Sequence, residues 1–303
     1  MTGTADIMPV FKHRSVISGI TVKEAMQRQV VQLPIDTPVT QCVRTIIKFK
    51  ANAVMVTGPD QTPAGVISKT DIIGAFYAGL SLGTPISDIM VAPPLFCEVQ
   101  DTLETAIDQM QKNSIHQIYV SSEKKNHVVG QVAYSDIVGL LYRYCRACIR
   151  SGRCLTDMET KEIPRLMVKD VMTSGANVCR ASDPITQVIE ILSGRKLGAV
   201  LVSDHSNQTL GIISKTDLVL SYIRGIPLDE PAGSIMNTPV AICLVDTLLS
   251  DAIQKMFLFD IHRIFVKKTD KGPVMGVLSL SDATRFRSGT CRACAAARIL
   301  DNS

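Results

Sequence analysis

Gly65-Val66-Ile67-Ser68-Lys69-Thr70-Asp71 returns 146 residues later as Gly211-Ile212-Ile213-Ser214-Lys215-Thr216-Asp217, with one Val-to-Ile change. Two looser copies follow these by 65 residues each: Gly130-Gln131-Val132-Ala133-Tyr134-Ser135-Asp136 and Gly276-Val277-Leu278-Ser279-Leu280-Ser281-Asp282. Each reads as a buried strand that ends in a polar turn and opens a helix. Four copies of one strand–turn–helix junction mark a repeat protein.

The 146-residue offset holds without a gap across the chain. Met26 matches Met172, Met90 matches Met236, His116 matches His262 and Gly130 matches Gly276. The stripe Val39, Cys42, Val43, Ile46 has the i, i+3, i+4, i+7 spacing of an apolar helix face. It recurs as Leu103, Ala106, Ile107, Met110, as Ile185, Val188, Ile189, Leu192, and as Leu249, Ala252, Ile253, Met256. Asp36-Thr37-Pro38 reads as a helix start with proline in its first turn, and Asp101-Thr102 as a cap. Short strands are expected over Ala53–Thr57 and Ala64–Ile67, with a Gly-Pro-Asp turn between them, and again over Gln117–Val120 and Val128–Val132. The predicted fold is α+β, built from four βαββα-type units.

Composition sets the class. With 303 residues, 46% of them hydrophobic, and a net charge of +4, the chain can bury two cores. So small a charge does not point to nucleic acid or to an acidic membrane surface. No apolar run is long enough to cross a bilayer, and residues 1–19 lack the pattern of a signal peptide. A cytoplasmic location is expected, with the nine cysteines reduced.

The order D-x-M, capped helix, two strands, then G-h-h-S-x-x-D at a helix start resembles the CBS (cystathionine β-synthase) domain family. The resemblance runs from about Ile20 to Phe286. It implies two pseudo-symmetric Bateman modules of two repeats each. The first module covers 20–148 (repeats 20–77 and 85–144) and the second 166–294 (repeats 166–223 and 231–286). An N-terminal arm (1–19), a linker (149–165) and a tail (295–303) complete the chain. The four-repeat arrangement resembles the gamma subunit of AMP-activated protein kinase. It implies adenine nucleotides (AMP, ADP or ATP) in clefts between repeats, and a regulatory rather than catalytic role toward a partner protein. A homodimer is left open.

In the family, the aspartate of S/T-x-x-D accepts hydrogen bonds from the ribose hydroxyls. Carried over, the pairs are Ser68 with Asp71, Ser214 with Asp217, and Ser279 with Asp282; Asp136 has Ala133 in the serine slot. The same spacing is a capping box that serves a helix with no ligand present, so spacing alone leaves both roles open. Ile261-His262-Arg263-Ile264 resembles the His-Arg pair that contacts phosphate in the kinase gamma subunit. Arginine can fork onto phosphate at any pH, whereas His262 helps mainly when protonated. His116 holds the matching place in the second repeat, where Gln117 replaces the arginine. Lys50 and Lys196 are candidate helpers. No Walker loop or H-E-x-x-H motif is present, and no enzyme activity is expected.

Cys145-Arg146-Ala147-Cys148 recurs as Cys291-Arg292-Ala293-Cys294 at the same offset, while the residues on either side share no identities. Two C-x-x-C units offer four thiolates, the donor set of structural zinc or an iron–sulfur cluster, and the adjacent arginines favour thiolate. Two independent dithiols or helix-end cysteines fit equally well. The alternative function is therefore a redox or metal protein with the repeats as scaffold. Cys42, Cys97 and Cys243 read as core, and Cys154 has no partner at Leu300.

Overall fold

In a computed structural model, residues 19–122, 127–150 and 166–285 are described, those at 144–150 and 285 by backbone alone. The four repeats fold alike. In the first, the strand Gln32–Pro34 leads through the helix Val39–Lys48 to the strands Ala53–Thr57 and Pro63–Ser68 and the helix Lys69–Tyr77. The short strand runs parallel to the central one, with Leu33 opposite Val56. The third runs antiparallel, with Val54 opposite Ile67. The other three repeats carry the same registers on the central strands Gln117–Ser121, Ala199–Ser203 and Arg263–Lys267.

The helix stripes are the buried faces that the periodicity requires. Val39, Cys42, Val43 and Ile46 are wholly enclosed, as are Leu103, Ala106, Ile107 and Met110. In the fourth repeat only Ile253 stays half-buried. Thr102 caps the second stripe helix, its Oγ1 accepting from Thr105 N–H at 3.2 Å. Pro38 differs from expectation. It is the N-cap itself, extended at φ −69°, ψ 148°, and the helix begins one residue later.

The repeats are not independent. Val22 and Ala25, at the start of the first repeat, lie in the core of the second and fourth. Ile86, at the start of the second, lies in the core of the first and third. Each opening segment also pairs with the last strand of its partner: Gln27 with Gln131, Val66 with Val91, Ile212 with Asn237, and Thr173 with Val277.

This exchange explains the glycine that heads every copy of the repeated stretch. A Cβ on Gly65 would lie 2.6 Å from Met90 Sδ and 2.9 Å from the Val91 carbonyl oxygen. Gly130 meets Met26 in the same way, Gly211 meets Met236, and Gly276 meets Met172. Only glycine leaves room for the partner repeat's methionine to lie on the strand.

The halves join through like repeats. The helices Lys69–Tyr77 and Lys215–Ile223 pack together, with Phe76 and Tyr222 stacked at 5.0 Å between ring centroids and Tyr222 donating to the Leu80 carbonyl at 2.6 Å. Tyr134–Arg150 packs on Leu280–Arg285. Unlike repeats touch at four corners where the chain turns through left-handed residues, Lys50, Ser114, Lys196 and Asp260, with φ between 51° and 55°. Lys50 is ion-paired to Asp260, and Lys196 donates to Ser114 Oγ at 3.2 Å. No described helix is long and apolar enough to cross a membrane.

Candidate functional site

Two residues beyond each corner stand Asn52, His116, Gly198 and His262, just ahead of the central strands. Their carbonyl oxygens accept from the first N–H of each repeat's last helix: Lys69 (3.2 Å), Tyr134 (3.3 Å), Lys215 (3.2 Å) and Leu280 (3.0 Å). The corners and the S-x-x-D turns are thereby tied together at the middle of the molecule.

Cations collect there. Lys69 donates to Thr216 Oγ1 at 3.1 Å, and Lys215 donates to Thr70 Oγ1 at 2.7 Å, so the repeated stretch and its twin clasp each other. Arg263 reaches from the fourth repeat over Gly198 of the third, where any Cβ would lie inside its guanidinium. His116 is driven down to about 4, first by lost hydration and then by the charges of Lys215, Arg263 and His262. His262 falls for the same first reason, aided by Lys69 and Arg263. Arg263 is lowered to about 10 by burial, against the attraction of Asp282. Burial also lowers both lysines; Asp217 partly offsets this at Lys69 and Asp71 at Lys215. Yet His116 and His262 remain accessible to solvent. Both imidazoles are thus crowded by protein groups and still reached by solvent. Five basic groups drawn from all four repeats, each pressed toward its neutral form, make a place that an anion would stabilise.

Three of the aspartates stand near these cations: Asp217 by Lys69, Asp71 by Lys215 and Asp282 by Arg263. Asp71 Oδ2 accepts from Ser68 N–H and Oγ–H, both at 2.7 Å, and Asp217 repeats this with Ser214 at 2.7 and 2.6 Å. Asp282 does so with Ser279 at 2.9 and 2.6 Å. Asp136, lacking the serine, has only the Ala133 N–H (2.8 Å) on its capping oxygen, and burial raises its pKa. The capping role is thus real at every copy, and it uses one carboxylate oxygen. The other oxygen points away from the cap.

The sequence reading missed Lys69 and Lys215, although both lie inside the repeated stretch where the even repeats have Tyr134 and Leu280. Lys50 and Lys196, the candidate helpers, are engaged at the corners with Asp260 and Ser114. Cys42 and Cys97 are core residues, their thiols pushed up to about 12, chiefly by burial. No metal-binding group of three or more His, Cys, Asp or Glu occurs among the described residues. Cys291 and Cys294, and the side chains of Cys145 and Cys148, lie outside them. A surface depression of about 450 Å³, lined by Leu244, Lys255 and Asp270 among others, sits at the opposite end of the fourth sheet from His262.

Comparison with known proteins matches the CBS domain at residues 22–78, 86–143, 168–224 and 232–289. The chain is 22% identical over 217 residues to the uncharacterized protein MJ1225 of Methanocaldococcus jannaschii, 70% of this chain and 74% of that one. The crystal structure of that protein, described as a candidate archaeal homologue of g-AMPK, aligns with a TM-score of 0.73 at 15% identity. The alignment covers 88% of this chain and 99% of that one. The 5'-AMP-activated protein kinase subunit gamma of Dictyostelium discoideum is 26% identical over 117 residues, 34% of this chain and 20% of that subunit. At such identities the solved structure speaks for the fold, and the repeats speak for the family. With four matched repeats spanning most of its length, the chain belongs to the CBS domain family.

Proposed function

We propose that this protein is a regulatory sensor that binds an adenine nucleotide (AMP, ADP or ATP) in clefts between its repeats. The observation that carries the reading is the convergence of Lys69, Lys215, His116, His262 and Arg263 beside Asp71, Asp217 and Asp282. A nucleotide has the matching polarity: vicinal hydroxyls donate to a carboxylate, and phosphate accepts from lysine and arginine. The likeness to a kinase gamma subunit supports the same class of ligand.

The proposed modules, 20–148 and 166–294, are joined by residues 149–165, and the signal is a change in how they pack. Phosphate neutralises charges contributed by both modules, so it favours whichever arrangement brings those charges closest. A ligand shifts such an equilibrium only by its differential affinity for the two states. The protein acts by binding, and a regulated protein receives the signal.

Calorimetry with AMP, ADP and ATP tests this. Saturable heat with at least one, weakened in Arg263→Met and Lys215→Met, is the expected result. Absence of heat and of any thermal shift with all three overturns it.

A further inference from the structure

The four aspartates differ at the oxygen left over from capping. Asp136 Oδ1 accepts from Gln27 Nε2 at 2.6 Å. Asp217 Oδ1 accepts from Asn237 Nδ2 at 2.7 Å. Asp282 Oδ1 lies 3.5 Å from Thr173 Oγ1. Gln27, Thr173 and Asn237 have one position in common: each directly follows the methionine that lies on the partner repeat's glycine. The backbone exchange therefore delivers, at these three clefts, one side chain onto the outward carboxylate oxygen.

In the remaining cleft that residue is Val91. Its backbone is placed like the others, with Val66 N–H donating to the Val91 carbonyl at 2.9 Å and Val91 N–H returning the bond at 2.8 Å. Its side chain can donate nothing. Asp71 Oδ1 has no hydrogen-bond partner among the described residues, and Val91 leaves 58% of its surface to solvent. Lys215 is close enough to Asp71 that the carboxylate opposes its loss of charge. Among the described residues, this cleft combines a vacant acceptor, an uncovered apolar surface and a cation contributed by the other half.

We infer that the residue after each cleft methionine decides whether that cleft is vacant, and that the Asp71 cleft is the high-affinity nucleotide site. Gln27, Asn237 and, more weakly, Thr173 hold in place the bond that a ribose hydroxyl would make. A ligand at those clefts must first displace them, which leaves an amide or hydroxyl to be rehydrated and lowers affinity. At Asp71 nothing is displaced. The hydroxyl pair meets the carboxylate, the base lies against Val91, and the phosphate faces Lys215. This inference rests on the nucleotide reading above and adds which site fills first and why.

The test is AMP titration of the full chain by calorimetry. Val91→Asn installs at Asp71 the amide that Asn237 brings to Asp217, and should weaken the tightest site about tenfold or more. Asp71→Asn should abolish that site. Asn237→Val uncovers Asp217 and should add a second tight site, a gain that a misfolded protein cannot mimic. Tight binding that survives both Val91→Asn and Asp71→Asn but is lost in Asp217→Asn overturns the inference and leaves the nucleotide reading standing. No binding of AMP, ADP or ATP to the native chain or to Asn237→Val overturns both.

Discussion

Lys69 Nζ lies 3.1 Å from Thr216 Oγ1, and the duplication returns the contact as Lys215 to Thr70 at 2.7 Å. The stretch that reveals the repeat in sequence is therefore also one of the places where the two halves touch. Two ammonium groups are held near each other, near Arg263 and away from bulk water, and both lie below the ordinary amine range for that reason.

Removing one of these charges should help the empty protein and harm the liganded one. Lys69 has lost much of its hydration and is repelled by Arg263, so removing its charge relieves both costs. Lys69→Met should then raise the melting temperature of the ligand-free protein and weaken AMP binding about tenfold. A lower melting temperature together with unchanged affinity would show that the lysine is structural.

Gly65→Ala should be costly because its methyl would collide with Met90 of the partner repeat. Forcing a group into such a contact costs about 1–3 kcal/mol. Gly74, in the middle of the helix Lys69–Tyr77, has nothing within 4 Å of a Cβ, so Gly74→Ala should stabilise by about 0.5–1 kcal/mol. Urea unfolding of the two variants checks the contrast, and equal effects would contradict the packing argument.

Acid should weaken the ligand-free protein through His116. Its pKa is about 4 when folded against 6.5 as the ordinary value, so between these pH values the unfolded chain takes up a proton that the native chain refuses. The stability is complete above about pH 6.5 and is lost as pH falls toward 4. His262 adds to the loss with the same sign. His116→Gln should flatten the profile of melting temperature against pH in that window. An anion beside the histidines should have the opposite effect, drawing protons onto them, so binding of sulfate, which does not itself titrate near pH 6, should take up protons there. Titrations in buffers of different ionisation enthalpy measure that uptake.

Lys50 separates strain from charge. Its side chain and that of Asp260 are 75% and 59% exposed, so their ion pair contributes about 1 kcal/mol at most. Its left-handed backbone, φ 51°, costs a non-glycine residue about 1 kcal/mol. Lys50→Gly loses the pair and the strain together and should leave stability nearly unchanged. Lys50→Ala loses only the pair and should be the less stable of the two by about 1 kcal/mol. Identical denaturation midpoints would refute the strain assignment.

Much of the fold is legible in the sequence because it is written in periods. Val39, Cys42, Val43 and Ile46 face inward because helical spacing puts them on one side, and Val54 and Ile67 pair because strands alternate. The three-residue strands, such as Gln32–Pro34, are too short to carry a period. The aspartates at the helix starts could be found by motif. What they touch could not, because Gln27 and Asp136 lie 109 residues apart and meet only through the exchange of opening segments. Lys50 could be named only as a candidate helper, because the sequence does not display a left-handed turn made without glycine.

Val91 and Asn237 are the same position in two copies of one ancestral half, separated by 146 residues. Two identical halves associating as separate chains would carry the same side chain at both places, and their clefts would have to change in pairs. Fusion into one polypeptide removes that constraint. Each cleft can drift alone, so one molecule can hold recesses of graded readiness, and its response to a rising ligand concentration need not be symmetric.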